Sequence, residues 1–223
     1  MFITFEGIDC SGKSTQAQLL ANKLQEANHN IVELREPGNT RLSEHIRGIL
    51  LNKEYSEINE RTELLLFSAS RAQLVAEVIL PSLHKGKIVI CDRFSDSTIA
   101  YQGYGRGLPL NDIVHINRIA TQETEPDMTF YLDISPETAL ERTDGREGIV
   151  QDRMEEAGIT FFKRVIRGYM RIANMNSGRY YVIDGGKSVD EIHSIIWRLV
   201  SERLSEEERY STSRNGALEP MIP

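Results

Sequence analysis

Residues 7–14 read Gly7-Ile8-Asp9-Cys10-Ser11-Gly12-Lys13-Ser14, the pattern G-x-x-x-x-G-K-S, and no other stretch limits the fold as tightly. The apolar run Phe2-Ile3-Thr4-Phe5 before it predicts a buried strand. After it, Ala17, Leu20, Ala21 and Leu24 recur at helical spacing and predict a helix over 15–27. Strand, glycine loop and helix form the context in which such a loop cradles phosphates. Glycines let successive N–H groups face one hollow, and the helix start adds the positive end of its dipole. Lys13 brings a mobile full charge to β and γ phosphates, and the Ser14 hydroxyl is placed to ligate Mg²⁺. A glycine turn that only caps a helix is the bland alternative, and both flanks argue against it. Gly7, Ile8, Asp9, Cys10, Ser11, Gly12, Lys13, Ser14 and Thr15 are therefore expected to bind a nucleoside triphosphate.

A chain of 223 residues with 40% apolar content can build one α/β domain with a small lid. No stretch approaches the roughly 20 apolar residues of a membrane helix. Glu6 and Asp9 arrive before any signal-peptide core could form. The net charge of −7 argues against nucleic acid as the main partner. Two cysteines, Cys10 and Cys91, without zinc-type spacing fit a reducing compartment. The expectation is a soluble cytoplasmic protein with neither a membrane nor a nucleic-acid partner.

Beyond the loop, Ile31 to Leu34 predicts a second strand, ended by Arg35-Glu36-Pro37-Gly38. Thr40 is placed to cap a helix running to about Leu51. Leu64, Phe67, Arg71, Leu74, Val75 and Val78 predict a long helix over about 62–84, with Phe67 and Arg71 one turn apart. Lys87 to Cys91 is a third strand, ending on Asp92-Arg93. Short helices near 96–102 and 110–123, a strand at Met128 to Leu132, and a helix opened by Ser135-Pro136 follow. A polar segment of about 142–154 carries Arg142, Arg146 and Arg153. A helix near 155–174 and a fifth strand, Tyr180 to Ile183, lead to a last helix. There Ser188 and Glu191 make a capping box, and Ile192, Ile195, Ile196, Leu199 and Val200 make an apolar stripe. The fold expected is α/β, the three-layer P-loop NTPase arrangement of a five-stranded parallel sheet covered on both faces. It occupies 1–209 as one domain, and 210–223 read as a disordered tail. Ligands of such sheets gather at the carboxyl ends of the strands, where the loop, Arg35-Glu36, Asp92-Arg93 and the Asp184 turn all fall.

Asp92 closes an apolar strand, the form taken by a metal-organising acid, so Ser14 and Asp92 are the candidate Mg²⁺ residues. An adjacent arginine is unusual for hydrolysis alone. Its fork of donors suits a second phosphate held in line with the donor's γ-phosphate. The arginines of 142–153 either close over the transferring group or belong to a charged surface loop, and charge alone does not choose.

Over residues 2–203 the chain resembles the thymidylate kinases, a family of nucleoside monophosphate kinases. The resemblance is carried by Phe5 to Thr15, Arg35-Glu36-Pro37-Gly38, Leu66-Phe67 to Arg71, Asp92 to Gly103, and Pro126-Asp127 through Tyr131-Leu132-Asp133. The Asp92 to Gly103 block is the most specific of these. The family implies transfer of the γ-phosphoryl of Mg-ATP to dTMP by a homodimer. For the acceptor it implies that Phe67 stacks on thymine and Arg71 donates to a base carbonyl, with Ser97 and Thr98 beside it. Asp9 then accepts from the 3′-hydroxyl, and Tyr101 fills the place of a 2′-hydroxyl. Glu36 and Gln102 complete the acceptor set. Arg93 clamps the acceptor phosphate, and Lys13, Arg93 and one further arginine do the catalytic work. The loop holds no arginine between its glycines, so the lid is expected to supply it: Arg146 first, with Arg142 or Arg153 behind, and Arg142 also at ATP. Without the resemblance, Phe67 reads more often as core and Arg71 more often as a surface charge, while Tyr101 reads equally as a packing residue.

Two rivals compete with this reading, and a third, a non-catalytic nucleotide-binding subunit, has Lys13, Ser14, Asp92 and Arg93 all against it. One is a kinase for another monophosphate or a deoxynucleoside. The other is a GTPase-type switch, which would need N-K-x-D, whereas Asn52-Lys53-Glu54-Tyr55 lacks the Asp.

Overall fold

The computed structural model describes residues 1–144, 154 and 158–216. Five strands form one sheet: β1 (Phe2–Glu6), β2 (Ile31–Arg35), β3 (Ile88–Asp92), β4 (Met128–Asp133) and β5 (Tyr180–Asp184). Their order is β2-β3-β1-β4-β5 and every pairing is parallel, the architecture expected from the sequence. Central β1 is buried at all five positions because helices cover both of its faces. Edge strand β2 keeps only Leu34 fully inside.

On one face α1 (Lys13–Glu26) and α8 (Val189–Gly216) pack Leu20, Leu24, Ile192 and Ile196 against Ile3, Phe5 and Phe130 of the sheet. Burying each such side chain is worth about 1.5–3 kcal/mol. The other face carries α2 (Arg41–Leu51), α3 (Glu60–His84), α4 (95–105), α5 (Leu110–Thr121), α6 (Pro136–Asp144) and α7 (Ile159–Met175). Here α3 is one continuous stretch, Glu60–Leu74, Val75–Ile79 and Leu80–His84. Its middle piece is a π-turn, where Pro81 lacks an N–H and crowds the preceding turn. Likewise α4 joins Ser95–Thr98 to a wider-wound Ile99–Gly105.

The caps follow the sequence. Thr40 Oγ1 accepts from the Ser43 amide at 3.1 Å. Ser188 and Glu191 exchange backbone-to-side-chain bonds of 3.0 and 3.3 Å at the head of α8.

Two expectations change. The last helix runs to Gly216, past 209, because neither Pro nor Gly interrupts it earlier and pairs such as Arg203–Glu207 support it at four-residue spacing. By length and composition α3 does reach what crosses a bilayer. Its buried face, however, includes Glu63, Ser68, Ser70 and Arg71, which marks a core helix with polar work to do. The lid candidates Arg146 and Arg153 lie outside the described residues.

Candidate active site

The loop between β1 and α1 is shaped by two backbone requirements. A Cβ on Gly7 would sit 2.7 Å from the Leu132 carbonyl oxygen, at φ +145°. Gly12 caps α1 at φ +97°. The Ile8 side chain is buried in the core below, so only its backbone belongs to the site. Lys13 Nζ turns into the loop and donates to Ile8 O at 2.8 Å and to Ser11 Oγ at 3.5 Å. Burial and the neighbouring Arg93 charge pull the Lys13 ammonium down to about 8, against the opposing pull of Asp92, Asp9 and Glu6. Cys10 holds φ +63° and its Sγ lies 3.1 Å from Thr143 Oγ1.

Ser14 Oγ donates to Asp92 Oδ2 at 2.5 Å, so the two candidate metal residues meet. The other oxygen, Asp92 Oδ1, is buried with no hydrogen-bond partner among the described residues. Among those residues there is also no cluster of three His, Cys, Asp or Glu side chains. One hydroxyl and one under-satisfied carboxylate suit Mg²⁺, which keeps most of its waters and takes the rest of its shell from substrate phosphates. The donor set therefore fits.

A second cleft opens along α3 and α4, lined by Phe67, Arg71, Ser97, Thr98, Tyr101, Gln102 and Met154. Arg71 is not the surface charge its type suggests: its side chain is 2% exposed. Its Nε donates to Glu36 Oε2 at 2.7 Å, its Nη1 to Thr98 Oγ1 at 2.8 Å and Asn117 Oδ1 at 3.1 Å, and its Nη2 to Phe94 O at 3.1 Å. Burial pushes the Glu36 carboxyl up while Arg71 pulls it back. Glu36 Oε1 lacks a partner among the described residues and belongs to the cleft wall. The Tyr101 hydroxyl donates to Asp9 Oδ2 at 3.3 Å. The Gln102 amide is held by Glu63 at 2.9 Å, and Ser97 Oγ is engaged inward by Glu6 at 2.6 Å.

The phosphate cleft, about 290 Å³, is lined by Cys10, Gly12, Lys13, Ser14, Thr15 and Asp92. It shares four residues with the second cleft: Asp9, Glu36, Arg47 and Arg93. Arg93 donates from Nη2 to Asp9 Oδ1 at 2.5 Å and from Nη1 to Gly7 O at 2.7 Å. It thus stands where the two clefts open into each other.

A family profile described as thymidylate kinase matches residues 5–196. The chain belongs to the thymidylate kinase family. It is similar to the thymidylate kinase of Chlorobium luteolum, at 49% identity over 93% of this chain and all of the other. The thymidylate kinase of Caldanaerobacter subterraneus is 46% identical over 91% of this chain and 96% of its own. Among solved structures, that of thymidylate kinase from Ehrlichia chaffeensis superposes with a TM-score of 0.73 at 39% identity, covering 90% of this chain and 98% of that one.

Several residues that line the clefts of this thymidylate kinase family member, or hold the residues that do, carried no local sequence signal. Arg47 donates to Pro37 O at 2.9 Å from α2, and Glu63, buried on α3, takes both Gln102 and Arg106. Asn117, Tyr169 and Met154 reach the site from distant segments. Only side chains at strand ends could be placed by position alone. Arg142, expected at ATP, links the loop to the β5 turn, donating to Cys10 O at 3.1 Å and Gly185 O at 2.8 Å.

Proposed function

We propose that this chain transfers the γ-phosphoryl group of ATP to dTMP, giving ADP and dTDP on the way to dTTP. The observation that carries the reading is the meeting of a P-loop cleft and a base-sized cleft at Arg93 and Asp9. The donor phosphates take the loop amides of Gly7 to Thr15 and the Lys13 ammonium, with Arg142 at the edge. Phe67 stacks on thymine, Arg71 with Ser97 and Thr98 reads a base carbonyl, and Asp9 takes the 3′-hydroxyl. Tyr101 excludes a 2′-hydroxyl, and Glu36 and Gln102 shape the same wall.

An oxygen of the acceptor phosphate attacks the γ-phosphorus as the bond to the ADP oxygen breaks, without a covalent protein intermediate. Lys13 and Arg93 neutralise the charge spread over the transferring group, and Arg146 of the lid is our third catalytic cation. Ser14 and Asp92 would hold Mg²⁺, which supplies charge neutralisation and alignment of the β and γ phosphates when bound.

A homodimer in the cytoplasm completes the reading. Leu42 and Ile49 on α2, Leu65 on α3, and Val114 and Ile119 on α5 are exposed apolar side chains on helices packed side by side. Sedimentation at micromolar concentration would give twice the chain mass.

The deciding assay is ADP release from Mg-ATP with dTMP, dUMP, dCMP, dGMP, UMP and thymidine offered separately. Strong turnover with dTMP and weak turnover with dUMP is expected. Equal rates with every acceptor, or with none, would overturn the reading.

A further inference from the structure

Glu6 ends β1 and lines neither cleft, yet its carboxylate is wholly buried. Burying a carboxylate is costly unless donors surround it, and three are aimed at this one. Oε1 accepts from the Phe94 amide at 2.8 Å, and Oε2 accepts from Ser97 Oγ at 2.6 Å and the Tyr169 hydroxyl at 2.9 Å. The Phe94 amide belongs to the turn just after Arg93. Arg93 holds φ +72°, the left-handed region that side-chain-bearing residues avoid. Its own amide donates to Phe5 O at 2.9 Å. The Arg93 turn is therefore pinned to β1 on both sides.

The guanidinium is framed by the same groups. Arg93 Nη1 lies 3.4 Å from Ser97 Oγ and 3.5 Å from the Tyr169 hydroxyl. The Tyr169 ring is stacked on Tyr131 at 4.9 Å between centroids, so the core fixes where its hydroxyl stands. Glu6 and Tyr169 thus hold a strained backbone and its side chain from two sides, without touching either nucleotide cleft.

We propose that Glu6 and Tyr169 are positioning residues for phosphoryl transfer: Glu6 braces the left-handed Arg93 turn, and Tyr169 steadies the guanidinium beside Asp9. The proposal rests on the kinase reading above. A displacement of about 1 Å at a transfer site is enough to cost up to a hundredfold in rate.

The test compares wild type with Tyr169→Phe, Glu6→Gln, Glu6→Leu, Arg93→Ala and the Arg93→Ala/Tyr169→Phe double variant. The readouts are thermal unfolding, ATP affinity, and kcat and KM for dTMP. Tyr169→Phe keeps the ring stack, so it should fold and bind ATP within twofold of wild type while kcat falls about tenfold. Glu6→Gln, which keeps an acceptor for the Phe94 amide, should retain more activity than Glu6→Leu. In the Arg93→Ala background Tyr169→Phe should cost nothing further, because its effect runs through Arg93. Folded Tyr169→Phe and Glu6→Gln proteins with kcat and KM within twofold of wild type would overturn the proposal. So would a Tyr169→Phe loss that persists in full without Arg93. A wild type with no dTMP-dependent turnover would instead overturn the kinase reading, and this role with it.

Discussion

Arg93 donates to Asp9 at 2.5 Å, and the pair spans the opening between the phosphate cleft and the base cleft. Burial alone would raise the Asp9 carboxyl, but Arg93 and Lys13 outweigh it and hold Asp9 below the usual carboxylate range. The guanidinium also lies 5.1 Å over the Tyr101 ring. A charged fork is thus preset at the point where two phosphates would approach.

Removing that fork should damage transfer more than donor binding. Arg93→Ala is expected to lower kcat by about 10²–10³, the cost typical of losing one preorganised charge-stabilising donor. ATP affinity should stay within a few-fold, since Lys13 and the loop amides are untouched. Stopped-flow or calorimetric ATP titration beside steady-state kinetics checks it. Lost ATP binding in a folded protein would contradict the role given to Arg93.

Much of this was legible in the sequence, for reasons particular residues make clear. Gly7, Lys13, Ser14 and Asp92 sit at strand ends, where chain position alone fixes location in a parallel sheet. The Phe67–Arg71 spacing fixed a shared helix face. Composition could not say that Arg71 is caged by Glu36, Thr98 and Asn117, because those partners lie 35, 27 and 46 residues away. Nor could it reveal Tyr169, whose hydroxyl reaches Glu6 across 163 residues. The last helix continues past 209 to Gly216 because spaced charges such as Arg203 and Glu207 sustain a helix in a stretch whose polar composition alone carries no helical signal.

The Arg71–Glu36 pair yields a stability prediction. Both side chains are nearly inaccessible, 2% and 4% exposed. Arg71→Ala leaves a buried carboxylate uncompensated and should cost about 3–5 kcal/mol in urea unfolding. Glu36→Gln with Arg71→Met should cost less than Arg71→Ala alone, because no buried charge is left stranded. If the double variant were the less stable of the two, stranded charge would not be the cause.

Glu6 gives a pH dependence with a definite sign. Burial, then the Asp96 charge, raise its carboxyl from 4.5 to about 7, against smaller pulls from Ser97, Arg93 and the Phe94 amide. Between about 4.5 and 7 the native state therefore holds a proton that the unfolded state has released. The Glu6 contribution is greatest below 4.5 and is lost as pH rises through about 7. Urea unfolding of wild type and Glu6→Gln across that range should show wild type losing ground steadily. A pH-independent difference between the two would refute the raised carboxyl.

Asp92 and Ser14 lead to a metal prediction. Asp92→Asn keeps the Ser14 contact but removes the charge, so half-saturating Mg²⁺ should rise at least about tenfold. Ser14→Ala should raise it less, since a neutral ligand is lost. Mg²⁺ titrations of dTMP-dependent turnover at fixed ATP separate the two, and an unchanged Asp92→Asn titration would remove Asp92 from the metal site.

Gly48 tests the surface rather than the site. It lies exposed inside α2, and a Cβ there would meet nothing within 4 Å. Helix propensity alone then predicts that Gly48→Ala stabilises the fold by about 0.5–1 kcal/mol. Leu42 and Ile49 on the same helix belong to the exposed apolar face we assign to the homodimer. The substitution therefore reports on whether a second chain comes close at this point. Urea unfolding measured at two protein concentrations separates the effects. A concentration-independent gain means the Cβ stands in solvent. A loss at high concentration that shrinks, or turns into the helix-propensity gain, on dilution means the added methyl pushes against a partner, and places the α2 backbone itself in the dimer contact.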